Sequence, residues 1–366
     1  MISTSAHGRV NLIGEHTDYN NGFVLPTGIP QMTRADLEPR AGQTVFVAST
    51  NLADKPFSFE LGSERAVRSW SDYVQGATWV MRQEPGAKVC GFDLAISSTV
   101  PMGSGLSSSA ALLVAVLRAI RGAWGLEGLV DDIRIARLAQ KIENEFVGAR
   151  VGIMDPLAAS LATETAALFV DTQSLQIEQI PLPTDQLEVA VINSGISHSN
   201  VGGGYNQRRS ECEQACEALG ISSLREVGMD DLARIDSLPE PLRRRARHVV
   251  TENDRVLRAV TAIRSGDCQE LGRLFRESHL SMKNDYEVSV PDIDTLVEIA
   301  SAQPEVFGAR LTGGGFGGSI VMIARAGSAR AAAEKVVQRY NGATGRVGFV
   351  LVPKVAVDGT REITAP

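Results

Sequence analysis

Arg9, Glu15, His16 and Asp18 fall within ten positions of one another in GRVNLIGEHTDYNNGFVLP, residues 8–26. Thr17, Tyr19 and three asparagines share the stretch, which lies between two apolar edges. Carboxylates accept hydrogen bonds from hydroxyls, while arginine and histidine donate them, so the crowding suits a small molecule rich in hydroxyls, as a sugar is. A metal site is the competing reading. The order is not HExxH and the closest second histidine, His7, is nine residues from His16, so the polar cradle is favoured.

A second segment has the makings of an anion site. In TVPMGSGLSSSAALLVAV, residues 99–116, an extended run ends, two glycines allow a close turn, and three serines lead into an apolar helix. Free N–H groups and the positive end of a helix dipole, with hydroxyls beside them, favour phosphate. A serine N-cap after a flexible turn would explain the same residues structurally. The loop is not a Walker A, since no lysine follows a glycine, and protein-kinase signatures are absent. TGGGFGG (312–318) satisfies GxGxxG through Gly313, Gly315 and Gly318. A strand-like run, SIVMIAR, follows where a dinucleotide fingerprint needs a helix, so a glycine hairpin is expected instead.

Two further acids are candidates for chemistry. Asp155 stands before Pro156 in VGIMDPLAAS, about where a helix N-cap belongs, and can be read as a cap or as a working carboxylate. Glu143, in KIENEF, lies twelve residues earlier near a helix end. Its neighbour Glu145 falls on a different helical face, and spacing does not choose between the two.

The elements that must position these residues follow from periodicity. CGFDLAISSTV alternates as a strand, with Phe92, Leu94 and Ile96 on one face. AALLVAVLRAI, IRIARLAQKIENEFVG and VGIMDPLAASLA read as helices, ALFVDTQSLQIEQIPLP as a hairpin, and PLPTDQ (181–186) as a linker. LEVAVINSG is a strand, residues 208 to about 303 are largely helical, and GARLTGGGFGGSIVMIA is two strands around the glycine turn. A helix, SARAAAEKVVQRYNGAT, and a last strand, RVGFVLVPKVAV, close the chain. The class is α+β. The 366 residues imply two domains, 1–180 and 181–344, with the strand in 345–358 expected to rejoin the N-terminal sheet.

Composition narrows the partners. A formal charge of −7 supplies no basic face for nucleic acid, and RRRARH (243–248) is expected to be a solvated helix face. No apolar run reaches the ~20 residues needed to span a bilayer. Cys90, Cys212, Cys216 and Cys268 form no CxxC pair, which fits a reduced, cytoplasmic protein. A monomer is the working expectation.

Taken together, the motifs resemble a known family. GRVNLIGEHTDYNNGFVLP is similar to the galactokinase signature, while PMGSGLSSSAA and LTGGGFGGSIVMI resemble the second and third motifs of the wider kinase superfamily named for galactose, homoserine, mevalonate and phosphomevalonate. GIMD, HVVTENDRV and ESHLSMKNDYEVSVPDID also look like galactokinase segments. The resemblance implies an N-terminal mixed sheet with helices, a C-terminal antiparallel sheet covered by helices, and an active site between them. It implies ATP-dependent phosphorylation of the anomeric hydroxyl of galactose, with Mg2+ bound alongside ATP. Asp155 would take the proton and Arg9 would stabilise charge on the transferring phosphoryl group. Glu15, His16, Thr17, Asp18, Gly152 and Tyr205 would hold the sugar. Gly103, Ser104, Gly105, Leu106, Ser107, Ser108 and Ser109 would wrap the triphosphate, with Trp70 near adenine and Ser109 and Glu143 on the metal.

Departures from the family pattern are few: Pro156 stands where glutamine is common, His7 where proline is usual, and the run before the signature is short, which is expected to leave one edge of the N-terminal domain without its usual cover. A kinase for N-acetylgalactosamine, arabinose or galacturonate is the nearest alternative. A non-catalytic sugar and ATP sensor is the more distant one; such proteins tend to damage the serine–alanine part of the loop, and GLSSSAA is complete here.

Overall fold

The computed structural model describes residues 1–51, 56–196 and 201–353. Alternating apolar residues build a first sheet of eight strands: β1 (Ile2–Asn11), β2 (Phe23–Val24), β3 (Pro26–Pro39), β4 (Thr44–Ser49), β5 (Phe57–Glu60), β6 (Phe92–Ser98), β7 (Ala166–Asp171) and β8 (Gln176–Pro181). The order is β2-β7-β3-β6-β4-β5, with β1 also paired to β3 and β8 to β7. β4 and β6 run parallel and the other pairs antiparallel, so the sheet is mixed.

Helices α1 (Ser71–Met81), α2 (Ser108–Ala123), α3 (Asp132–Lys141) and α4 (Met154–Leu161) cover this sheet. α2 is apolar on most sides and must be covered on most sides. It lies on β1 and β3 and is flanked by α1, α3 and α4, with Leu113, Val114, Leu117 and Ile120 fully buried. Each such side chain contributes about 1.5–3 kcal/mol by leaving water. The helix that begins at the serine loop is therefore anchored along its length.

The second sheet takes β9 (Leu187–Asn193), β10 (Val306–Thr312), β11 (Ser319–Arg325) and β12 (Phe349–Val352) in the antiparallel order β10-β11-β9-β12. Its helices are α5 (Val201–Leu219), α6 (Leu232–Asp236), α7 (Leu242–Ser265), α8 (Cys268–Asn284), α9 (Pro291–Ser301) and α10 (Ala329–Thr344). α8 and α9 pack on β10 and α10 on β9. A buried apolar layer that includes Val10, Leu12 and Leu25 from the first half, and Val191, Val256, Phe275 and Val321 from the second, joins the two.

Two expectations change. The last strand does not return to the first sheet: Phe349 and Val350 pair with Asn193 and Ile192 on β9. The second sheet would otherwise end on β9, whose apolar edge needs both a hydrogen-bonding partner and cover, and Leu351 is buried in supplying it. Residues 354–358 of that expected strand lie outside the described residues. The basic run 243–248 is not a purely solvated face either. Arg243, Arg244 and Arg247 pair at the surface with Glu240 and Asp236, while Arg245 turns inward to Glu211 and His248 is buried.

Candidate active site

β1, α2 and α4 meet at Asp155. Arg9, near the end of β1, donates through Nε and Nη2 to the two carboxylate oxygens of Asp155, both at 2.8 Å. Its Nη1 donates to the Gly105 carbonyl at 2.6 Å and its backbone N–H to the Leu106 carbonyl at 3.2 Å. The Ser107 hydroxyl also donates to Asp155. Asp155 sits in the first turn of α4, after Ile153 at the N-cap, and makes no capping bond. The capping reading therefore fails. The carboxylate keeps 31% of its side chain exposed, whereas Arg9 keeps 5%, so the acid faces the cleft and the guanidinium lies behind it.

The serine loop turns through left-handed backbone at Gly103, Gly105 and Ser107 and enters α2 at Ser108. Gly103, Gly105, Ser108 and Ser109 remain accessible, so the loop offers backbone N–H groups and two hydroxyls at a helix N-terminus. Two loop residues do other work. Leu106 is buried in the shared apolar layer, and the Ser104 hydroxyl is used on the Pro101 carbonyl at 2.7 Å. The glycine hairpin between β10 and β11 closes over the loop. A Cβ on Gly313, whose φ is +84°, would stand 3.1 Å from the Gly105 carbonyl.

A cleft of about 100 Å³ beside Asp155 is lined by Arg9, Glu15, His16, Asp18, Gly152, Tyr205 and the glycine hairpin, with Val151 and Met154. Asp18 fills the space where a side chain on Gly152 would go: a Cβ there would lie 1.7 Å from its Oδ2. Burial, and then the charge of Asp155, push the Asp18 pKa up to about 6. Burial holds His16 down to about 3, so its imidazole is neutral, and its Nε2 is buried with no protein partner. Burial, then the charges of Asp18 and Asp155, keep the Tyr205 phenol protonated well above its usual range. Thr17 does not belong to the cleft: its hydroxyl is used on the Gly14 and Phe23 carbonyls at 2.8 and 2.6 Å.

Glu15 is fully buried and accepts from Arg310, from the Thr312 hydroxyl at 3.2 Å and from the Gly313 N–H at 3.1 Å. A carboxylate offers about four acceptor positions, so room is left for one more donor from the cleft. Burial raises its pKa and Arg310 opposes that rise.

Sequence reasoning missed what holds this loop in place. Glu252 of α7 accepts from the Gly14 N–H at 3.0 Å, and Asn253 accepts from the Phe23 N–H at 2.9 Å. The His248 Nε2 lies 3.1 Å from the Glu15 carbonyl. Three side chains of a helix in the second half thus grip the backbone of a loop in the first. Glu252 is itself held by Arg255 at 2.7 Å and by the Ser278 hydroxyl at 2.6 Å, with Arg310 at 3.7 Å, and stays ionised with its pKa lowered to about 2. The available signal was the HVVTENDRV and ESHLSMKNDYEVSVPDID segments, which carry these residues.

The residue order left Glu143 and Glu145 open. Glu143 is buried on a π-helical turn, Ile142–Val147, while Glu145 is exposed. Burial raises the Glu143 pKa to about 7, opposed by the Ser109 hydroxyl beside it. No salt bridge reaches Glu143 among the described residues, and its carboxylate and the Ser109 hydroxyl are the kind of oxygen donors a hard divalent cation prefers. Trp70 precedes α1 and packs edge-on to Phe57 at 5.0 Å.

Comparison with known proteins now bears on this geometry. The model described as galactokinase galactose-binding signature matches residues 2–38, GHMP kinases N terminal domain matches 72–163, and GHMP kinases C terminal matches 259–342. A galactokinase of Roseiflexus sp. (strain RS-1) is 43% identical over 99% of this chain and 93% of its own length. The chain belongs to the galactokinase family. The Homo sapiens galactokinase is 41% identical over 93% of this chain and 88% of its own. A crystal structure of Lactococcus lactis galactokinase complexed with galactose superposes with a TM-score of 0.88 at 32% identity, covering 95% of this chain and 92% of that one. A mevalonate kinase of Methanococcus jannaschii, 15% identical with a TM-score of 0.69 over 96% of each chain, shares the fold. As an enzyme of the galactokinase family, the chain lines the cleft with residues of its family signature and ties the serine loop to it through Ser107 on Asp155.

Proposed function

We propose that this member of the galactokinase family transfers the γ-phosphoryl group of ATP to the anomeric hydroxyl of galactose, giving α-D-galactose 1-phosphate and ADP. The observation that carries the reading is the position of Asp155, held by Arg9 and Ser107 between the hydroxyl-reading residues and the serine loop.

In this reading the anomeric oxygen attacks the γ-phosphorus, its proton passes to Asp155, and the bond to the bridging oxygen of ADP breaks. Phosphoryl transfer needs positioning and charge neutralisation more than covalent help. Asp18, His16, Glu15 and Tyr205 orient the sugar, with Gly152 leaving room for Asp18. The loop from Gly103 to Ser109 orients the triphosphate through its backbone, and Arg9 stabilises charge as it builds on the transferring group. Ser109 and Glu143 would hold magnesium, which when bound neutralises charge on the triphosphate oxygens. Trp70 is retained as the adenine neighbour. Residues 1–180 form the unit that carries most of these groups, and the second runs from 181 through β12, which pairs on its sheet.

The free cysteines Cys90, Cys212, Cys216 and Cys268 suit a reducing, cytoplasmic compartment. No described helix is long and apolar enough to cross a membrane. A coupled assay of ADP release with magnesium, ATP and a panel of sugars tests the reading. Galactose is expected to have the highest kcat/KM, ahead of N-acetylgalactosamine, arabinose and galacturonate. ATP turnover that ignores the sugar, or that prefers another sugar, overturns it.

A further inference from the structure

Behind the cleft, four side chains form a line of hydrogen-bonding atoms that the mechanism has not used. The His16 Nδ1 lies 2.9 Å from the Tyr19 hydroxyl, that hydroxyl lies 2.7 Å from the Tyr286 hydroxyl, and the Cys212 sulfur lies 3.1 Å from the Tyr286 hydroxyl. Cys212 and Tyr286 are buried, on α5 and just beyond α8, and both contribute to the core of the second half. At the other end of the line, His16 lines the cleft, its Nε2 buried without a hydrogen bond and the Gly314 backbone, which lines the same cleft, close to the ring.

Such a chain can run in two directions, and each fixes a different imidazole tautomer. If Nδ1 carried the proton, Tyr19 would donate to Tyr286 and Tyr286 to sulfur, which is a poor acceptor. The thiol proton would then need another acceptor, and the Asn20 amide, which donates to the His16 carbonyl at 2.8 Å, also faces the sulfur with its N–H groups. In the opposite direction the thiol donates to Tyr286, Tyr286 to Tyr19, and Tyr19 to Nδ1. The strong O–H donors then end on the best acceptor in the chain. Neighbouring groups agree. Asp18, Asp155 and Glu15 offer the cleft acceptors in excess, and a sugar hydroxyl that donates to one of them still has lone pairs to fill. The imidazole is neutral and so holds a single proton to place.

We infer that Tyr286 and Cys212 act through Tyr19 as positioning residues that hold His16 in its Nε2–H tautomer, so that this wall of the cleft donates a hydrogen bond to a sugar hydroxyl. The inference rests on the sugar-binding reading for its purpose, but not for its measurement. A site built to donate to one hydroxyl disfavours sugars that lack it there, because the donor would be left buried and unpaired.

The test is 15N long-range correlation NMR of the ligand-free, histidine-labelled enzyme at neutral pH, with His16 assigned by the signal lost in His16→Gln. A single Nε2–H pattern is expected in the wild type. In Tyr286→Phe the pattern is expected to shift toward a mixture, with galactose KM raised about 5-fold, the size of one ordinary hydrogen bond, and kcat changed less than 2-fold. Tyr19→Phe, which removes the direct partner of Nδ1, should give the fuller mixture and serves if Tyr286→Phe does not fold. An Nδ1–H pattern in the wild type overturns the inference, as does an unchanged pattern in either variant. A correct tautomer in an enzyme that ignores galactose would instead count against the proposed function alone.

Discussion

The two walls of the cleft are built in opposite ways. The sugar-facing loop is buried and gripped from outside: Gly14, Glu15 and Phe23 each present a backbone group to α7, and Glu15 is itself fixed by Arg310. The serine loop is more open: it turns through left-handed backbone at Gly103, Gly105 and Ser107, its carbonyls are held by Arg9 and Ser319, and an apolar helix backs it. One wall has its hydrogen-bonding directions set before a ligand arrives. The other presents accessible N–H groups and hydroxyls that a phosphate can organise. A neutral sugar gives no charge to work with and must be recognised by pre-set donors and acceptors, whereas a triphosphate brings enough charge to complete its own site. Asp155 belongs to both walls, since Arg9 and Ser107 tie it to the serine loop and the cleft joins it to Asp18.

Breaking the shared residue should have the largest effect. Asp155→Ala is expected to lower kcat by about 10³-fold, within the range for a lost proton acceptor, while ATP binding measured by calorimetry survives. Near wild-type turnover would remove Asp155 from the mechanism. Breaking the grip on the sugar wall comes next. Glu252→Ala leaves Arg255 and the Gly14 N–H without their buried partner and should cost about 3–5 kcal/mol, seen as a fall in Tm of about 10 °C. Among molecules still folded, galactose KM should rise more than ATP KM. An equal rise in both would mean that α7 supports the whole cleft and not one wall.

The serine wall can be sharpened with a pair of variants at Ser107. Ser107→Ala removes the hydroxyl on Asp155 and keeps a side chain in left-handed backbone, whereas Ser107→Gly removes the hydroxyl and relieves the backbone. Both should lower kcat by about 10-fold from the lost contact, and the glycine variant should be the more stable on melting. Equal kcat to wild type would make the hydroxyl incidental.

The smallest effect is one of pH. Burial raises the Asp18 pKa from its ordinary 3.8 to about 6, so the folded chain holds that proton more tightly than the unfolded chain does. The resulting stability is fully present below about pH 4 and is lost as pH rises through about 6. Asp18→Asn should therefore raise the ligand-free Tm at pH 8 and leave it nearly unchanged at pH 4. In the proposed site galactose donates to the ionised Asp18 carboxylate, so its KM should rise as pH falls below about 6. His16, with its pKa near 3, stays neutral across that window.

How much was legible in the sequence follows the same division. The serine loop and the glycine hairpin could be anticipated from local turn chemistry, whereas the roles of Arg9 and Asp155, 146 residues apart, came only through the family resemblance. Within those segments, side-chain direction could not be read: Thr17, Ser104 and Leu106 sit in the right stretches but turn into backbone contacts or the core. Spacing left Glu143 and Glu145 open and only the resemblance named Glu143; the π-helical turn that buries it is one no spacing rule announces. The grip by His248, Glu252 and Asn253 was the least visible. Their spacing is that of any amphipathic helix, and their work is done on a backbone more than two hundred residues away. The last strand illustrates the same limit, since alternation marks a strand without naming the edge it will close.

A crystal structure with galactose and a non-hydrolysable ATP analogue tests the account most directly. The account predicts the anomeric oxygen within hydrogen-bonding distance of Asp155, the sugar hydroxyls on Asp18 and His16, and the terminal phosphate on the loop from Gly103 to Ser109. A sugar seated away from Asp155, or turned so that its 6-hydroxyl meets that carboxylate, would contradict it.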